Sequence, residues 1–281
     1  MTRVQIVTGL GARLAVFFAI AGAWYPASAG AAGLRISPVR LDMSASAPST
    51  QVNLTNLGPT DVAVQVRAYQ WRQEAGEDRY ELTKDIFFAP PIVTVPAAGQ
   101  VSVRLRLRAK APDQAEGSYR VYFQELPPAD SASQGAGTTL RVRFGIPLFV
   151  RPSMPAAPKL EVRTSLLAGQ LLAEFRNVGT EHLKIEGVDI FPASVNRADA
   201  TAVAVASAGQ SAKGVSYLLP GSQLDWSIPV AAGFTAAGHV LRIRTDDRSG
   251  RPGTGISRDG WSWKSLEAPS PATSSGSKPK P

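Results

Sequence analysis

From about residue 34 onward the chain alternates apolar and polar residues in short runs, and no long stretch repeats at the 3.6-residue period of a helix. That pattern excludes most architectures, because side chains at period two point to opposite faces of an extended strand. LRISPVRLDM (34–43), TQVNLTNLG (50–58), DVAVQVRAYQW (61–71), RYELT (79–83), IVTVPAAGQVSVRLRLRA (92–109) and SYRVYFQEL (118–126) all read this way. Val, Ile, Tyr and Phe concentrate in the runs, while Gly, Pro, Asn and Asp punctuate the gaps. EAGED (74–78) reads as a hairpin tip. About seven such runs within roughly 120 residues predict a β-sandwich.

A second set of runs follows MPAAP (154–158), a linker of prolines and alanines. KLEVRTSLLAGQLLAEFRNVG (159–179) reads as strand, tight turn at 167–170, strand. HLKIEGVDIF, TAVAVASAGQ, GVSYLLPG, DWSIPV and HVLRIRTDD continue the pattern. The halves also echo each other: LTNLGPTDVAVQV and FRNVGTEHLKIEGV each place Asn-x-Gly after a strand (Asn56, Gly58; Asn177, Gly179). A chance match of common turn chemistry and two sandwiches of related build both account for the echo. Trp71, Trp226, Trp261 and Trp263 read as core or domain packing.

Apolar residues make up 44% of the 281, which is enough for a packed core. The two ends differ from the rest. Arg3 and Arg13, the apolar run LAVFFAIAGAWY and Ala27-Ser28-Ala29 predict a secretory signal over 1–29 that is cleaved. The run is too short and broken to span a bilayer, so no stable membrane insertion is expected after its removal. Residues 265–281 are poor in apolar side chains and rich in Ser, Pro and Lys, a disordered tail.

There is no cysteine. An exported fold of this kind must hold without disulfides, and thiolate chemistry is excluded. His182 and His239 sit in no metal spacing and read as ordinary surface or strand residues. Without a Gly-x-Ser-x-Gly, a phosphate loop or a recognisable acid/base pair, no catalytic residue, cofactor or metal is expected. The net charge is +8. Arg104, Arg106 and Arg108 alternate with Val103, Leu105 and Leu107, one solvated strand face with partner steering as the minor reading. A basic surface on an exported protein meets anionic lipid or a carboxylate-bearing partner before nucleic acid.

TTLRVRFGIPLFVRP (138–152) is harder to place. One face carries Leu140, Val142, Phe144, Ile146, Leu148 and Val150, and the other Arg141, Arg143, Gly145, Pro147 and Phe149. Pro147 has no N–H, so the strand cannot be fully paired on both sides and must expose an edge near that point. Two readings remain open from the pattern alone. Either this is the last strand of a sandwich and its apolar face is core, or the edge is kept free for another chain to add a strand.

Residues 34–152 resemble the periplasmic chaperones of the chaperone–usher pilus pathway. The likeness rests on SPVRLDM with Arg40, TNLGPTDVAVQVRAYQW, IFFAPPIVTVPAAGQVSVRLRL, YRVYFQELPP and RVRFGIPLFVRP, which fall in the family's order and spacing. The second half is less alike, though TDDRSGRP (245–252) is similar to a late aspartate-containing loop of the family. The resemblance implies an all-β protein of two immunoglobulin-like sandwiches in an L shape, with an N-terminal domain over 33–153 and a C-terminal one over 158–264.

It also implies a periplasmic protein that stabilises pilus subunits by donating a strand to their incomplete sandwich and hands them to an outer-membrane usher. Leu140, Val142, Phe144 and Ile146 would fill the subunit's groove. Arg40 and Arg120 would anchor its C-terminal carboxylate. Glu125, Arg151 and Asp247 would form an acid–arginine–acid cluster between the domains, with Asp246 as runner-up for the last place. Arg120 enters because Pro147 stands where the best-known members carry a lysine, a departure that points to a divergent branch. The alternative is a secreted two-domain binding protein for a peptide or surface partner.

Overall fold

The computed structural model describes residues 33–127, 141–197, 203–208, 216–246 and 260–266. Every regular element among them is a β-strand. The first half holds β1 (Leu34–Ser37), β2 (Leu41–Met43), β3 (Ser49–Asn56), β4 (Val62–Glu74), β5 (Glu77–Leu82), β6 (Ile86–Ala89), β7 (Ile92–Val95), β8 (Gln100–Leu107), β9 (Gly117–Glu125) and β10 (Arg143–Val150). One sheet runs β1-β3-β8-β6, and the other runs β2-β10-β9-β4-β5, with β7 also on β4.

The period-two pattern decides what lies between the sheets. Val103, Leu105 and Leu107 point inward at 0%, 0% and 8% exposure, with Val52, Leu54, Val64, Val66, Val121, Phe123 and Leu148 in the same cluster. Arg104 and Arg106 lie on the opposite face of β8, exposed.

The second half holds β11 (Leu160–Leu167), β12 (Gln170–Asn177), β13 (Leu183–Pro192), β14 (Ala206–Ala208), β15 (Ser216–Leu218), β16 (Gln223–Pro229), β17 (His239–Thr245) and β18 (Trp261–Ser265). Its sheets run β11-β12-β16 and β14-β13-β17-β18, with β15 also on β13. They enclose a core of their own around Phe175, Ile185, Ile190, Trp226 and Ile243. Two separate cores make this a pair of sandwiches.

Two hairpin tips share one local chemistry. Ala75 and Gly76 have φ of 52° and 77°, and Ala168 and Gly169 have φ of 48° and 76°. Both central residues lie in the left-handed region, which matches the twist of a two-residue hairpin. The Asn-x-Gly echo is also structural. Asn56 is 1% exposed, donates from Nδ2 to the carbonyls of Thr60 (2.6 Å) and Val95 (3.2 Å), and accepts the Gly58 N–H at 2.8 Å. Asn177 is 0% exposed, donates to the carbonyls of Glu181 (2.8 Å) and Leu218 (3.0 Å), and accepts the Gly179 N–H at 3.0 Å. Each buried amide satisfies a turn and an opposing strand in the same way, so the halves share a build and not only a dipeptide.

Candidate functional site

β10 is the element that carries the site, and its two sides differ. On one side it pairs with β9 along its whole length, from Arg143 opposite Gln124 to Val150 opposite Gly117. On the other it meets β2 only at Leu148, Phe149 and Val150, in parallel. The Val142 carbonyl accepts the Glu125 N–H at 3.0 Å, so by alternation the even-numbered residues turn their N–H and C=O toward β9. The odd-numbered ones turn theirs outward. The Arg151 N–H follows that parity and donates to Met43 O at 2.9 Å. Pro147 also points outward, where its missing N–H costs no bond to β9. The outward backbone groups of Arg143 and Gly145 therefore face no strand among the described residues. The Arg120 guanidinium reaches this edge, donating from Nη1 to Gly145 O at 3.4 Å.

Side chains on this strand divide where β2 ends. Leu148 and Val150 are 0% exposed within the domain's own core. Ile146, expected among the groove-filling residues, is 3% exposed in that same core, and this corrects the expectation: it is already spent on its own sandwich. Phe144 packs against the core while remaining half-buried, and Val142 is half-buried beside it. Leu140 lies outside the described residues. On the outer face, Gly145 leaves room for an aromatic stack. A Cβ there would meet Tyr122 Cε1 at 2.8 Å, and Tyr122 lies 3.8 Å from the Arg143 guanidinium carbon.

The outer face leads into a cleft between the domains. Trp71, Phe149 and Leu219 are buried together there, with Tyr217 packed on them. Arg120 sits over Trp71 at 4.0 Å, and Arg40 lies 5.4 Å from the centre of Phe149. Arg40 is already engaged, 3.2 Å from Asp42 and 3.5 Å from Asp246. Burial works against its charge, but the hydrogen bond to Asp42 and the charges of Asp42 and Asp246 outweigh it and raise the pKa. Arg120 makes no ion pair among the described residues. Arg40 Nε, Arg120 Nε and Trp71 Nε1 are all buried without an acceptor. Three orphaned donors around one cleft are costly unless an acceptor arrives, and a carboxylate suits two guanidiniums.

The junction itself rests on residues that sequence reasoning ranked low or missed. Gln73 of β4 donates to Tyr217 O at 2.8 Å and accepts the Leu219 N–H at 3.0 Å, standing in for a strand across the domains. Glu116 N–H donates to Thr180 O at 2.9 Å. The Glu116 carboxyl lies 2.6 Å from His182 Nδ1, with side-chain exposures of 1% and 3%. Burial raises the Glu116 pKa, and the bond to His182 opposes that shift. His182 stacks flat on Phe149 at 3.5 Å between ring centres. The expectation of an ordinary surface or strand histidine is corrected: His182 joins the domains.

The expected Glu125–Arg151 contact is corrected too. Glu125 ends β9 beside Val142, whose N–H lies 3.4 Å from its Oε2. Arg151 follows the far end of β10, so the strand pair separates the two by about 30 Å at 3.3 Å per residue. Arg151 instead lines a shallow junction surface with Pro152, Met154 and Glu181. Asp247 lies outside the described residues, while the runner-up Asp246 faces Arg40. No sequence signal marked Glu116 or Phe149, because their burial depends on a second domain closing over them.

Residues 33–156 match the family described as pili and flagellar-assembly chaperone, PapD N-terminal domain. That match covers the first sandwich and the start of the linker, so the N-terminal half carries a domain of the pilus-chaperone type. No curated protein sequence matches it. Among solved structures, the chain is similar to one in the CsuC–CsuE chaperone–tip adhesion subunit pre-assembly complex of archaic chaperone-usher Csu pili from Acinetobacter baumannii. That likeness has a TM-score of 0.56 at 22% identity, over 76% of this chain and 94% of that one. The class 5 fimbriae chaperone CfaA has a TM-score of 0.53 at 16% identity, over 84% and 100%. The E. coli chaperone DraB has a TM-score of 0.52 at 16% identity, over 84% and 97%. At these identities the likeness is one of fold. It extends the pilus-chaperone architecture of two immunoglobulin-like sandwiches past the matched N-terminal domain.

Proposed function

We propose that this protein is a pilus chaperone that binds a fimbrial subunit by strand addition at β10 and anchors the subunit's C-terminal carboxylate in the interdomain cleft. One observation carries the reading: the outward edge at Arg143 and Gly145, which no strand among the described residues pairs, runs directly into the cleft that holds Arg120 without a carboxylate partner among those residues. The incoming chain takes the free backbone groups, and Val142 and Phe144, with Leu140 upstream, supply apolar side chains to its groove. Each large apolar side chain fully buried is worth about 1.5–3 kcal/mol, which offsets part of the cost of association. No bond is made or broken, and the protein acts as a chaperone and not as an enzyme. The complex forms in the periplasm, and the subunit passes on to an outer-membrane usher.

Co-purification with a subunit that lacks its last strand tests this. Val142→Asp should abolish the complex while leaving the melting curve of the free chaperone within a few degrees of wild type. Unchanged capture of the subunit by a folded Val142→Asp protein overturns the reading.

A further inference from the structure

The sheet β1-β3-β8-β6 turns its outer face away from both β10 and the cleft, and the function above uses none of it. None of its four strands contains an aspartate or glutamate. Arg35, Arg104 and Arg106 stand on it exposed, with Arg108 just past the end of β8 and Lys84 just before β6. Among the described residues the side chains of these four arginines make no hydrogen bond or ion pair. Several arginines elsewhere are matched: Arg40 with Asp42, Arg79 with Glu77, and Arg242 and Arg244 with Asp189. The register sets Phe87 directly opposite Arg106, and Phe87 is 50% exposed. Phe87, Arg106, Leu107 and Arg108 rim a shallow depression of about 480 Å³.

We infer that this face docks on an anionic bilayer surface, through lipid phosphate headgroups. The guanidiniums on β8 recur every second residue, about 6.6 Å apart, in a straight row. They carry none of the partner geometry of a site built for one carboxylate. A protruding aromatic among cations is the arrangement by which a surface anchors at the headgroup boundary. A sheet face without carboxylates also repels nothing on an anionic plane. Docking there leaves β10 and the cleft turned to the opposite side, free to hold a partner.

Each arginine near an anionic surface strengthens binding about fivefold, so three contribute roughly a hundredfold. The protein purified after export is sedimented with vesicles of phosphatidylcholine alone and of phosphatidylcholine with about one third phosphatidylglycerol, at low and at high salt. Binding is expected only to the anionic vesicles and only at low salt. It should drop about a hundredfold in the triple variant Arg104→Ser, Arg106→Ser, Arg108→Ser, and several-fold in Phe87→Ser. Capture of a strand-deficient subunit should stay intact in both variants, which separates this inference from the chaperone reading. Equal binding to neutral vesicles, unchanged binding by the triple variant, or no binding to either vesicle overturns it. The last outcome holds also if the face captures an acidic protein instead.

Discussion

At the scale of single residues, Glu116 and Arg120 show how a polar side chain takes its role from the site around it. The pKa of Glu116 is raised chiefly by burial, against the opposing bond from His182. An acid whose folded value lies above its unfolded one adds most stability below the unfolded value, and that contribution is lost as pH rises through the folded value. Relative to Glu116→Gln, the stability of the wild-type protein should therefore fall as pH climbs out of the ordinary glutamate range. Denaturant melts of both proteins at several pH values check it, and parallel pH profiles would rule it out. Arg120 holds its charge over Trp71 with Nε buried and unaccepted. Hydrogen bonds to charged groups are worth about 1.5–3 kcal/mol, so Arg120→Ala should weaken subunit binding about 10- to 100-fold in titration calorimetry. Arg40→Ala should cost less, because Arg40 divides its donors between Asp42 and Asp246.

Within β10, alternation and pairing together sort neighbours into opposite fates. Ile146 and Val142 lie on one face, yet Ile146 is sealed in the core and Val142 is half-buried past the end of β9's partner run. Ile146→Asp places a carboxylate in the first domain's core without a partner, a mechanism that gives the largest losses. It should lower that domain's stability by more than about 4 kcal/mol, measured by urea unfolding, whereas Val142→Asp should leave it nearly unchanged. Equal losses would mean that the strand is core throughout. The apolar-polar pattern of 138–150 was legible from the residues, and so was the edge at Pro147. The division between Val142 and Ile146 was not, because it depends on where β2 and the opposing sheet stop.

For the whole molecule, the interface between the sandwiches is built from few but well-placed contacts. Gln73 bonds twice to the segment around β15, Glu116 meets His182, and Phe149 lies between His182, Tyr217 and Trp71. Gln73→Ala leaves the Tyr217 carbonyl and Leu219 amide without their partner, at about 1–3 kcal/mol for each group left buried. Scanning calorimetry should then separate the single unfolding transition into two, with the second domain melting first; one unsplit transition would show that the remaining contacts suffice. The wrong assignment of Glu125 belongs to this scale. Its Glu-Leu-Pro-Pro setting looks distinctive in one dimension, but the register of β9 on β10 carries it to the end of the strand pair remote from the second domain.

Alternation, turn residues and the placement of Pro147 were enough to determine two strand-built halves with an unmated edge, since each is a local rule of backbone sterics and hydrogen-bond supply. The tertiary structure alone decided which side chains meet across the halves. Burial of Phe149, His182 and Glu116, and the orphaned donors of Arg40, Arg120 and Trp71, arise only when two sandwiches close on each other, and no spacing along the chain encodes that distance.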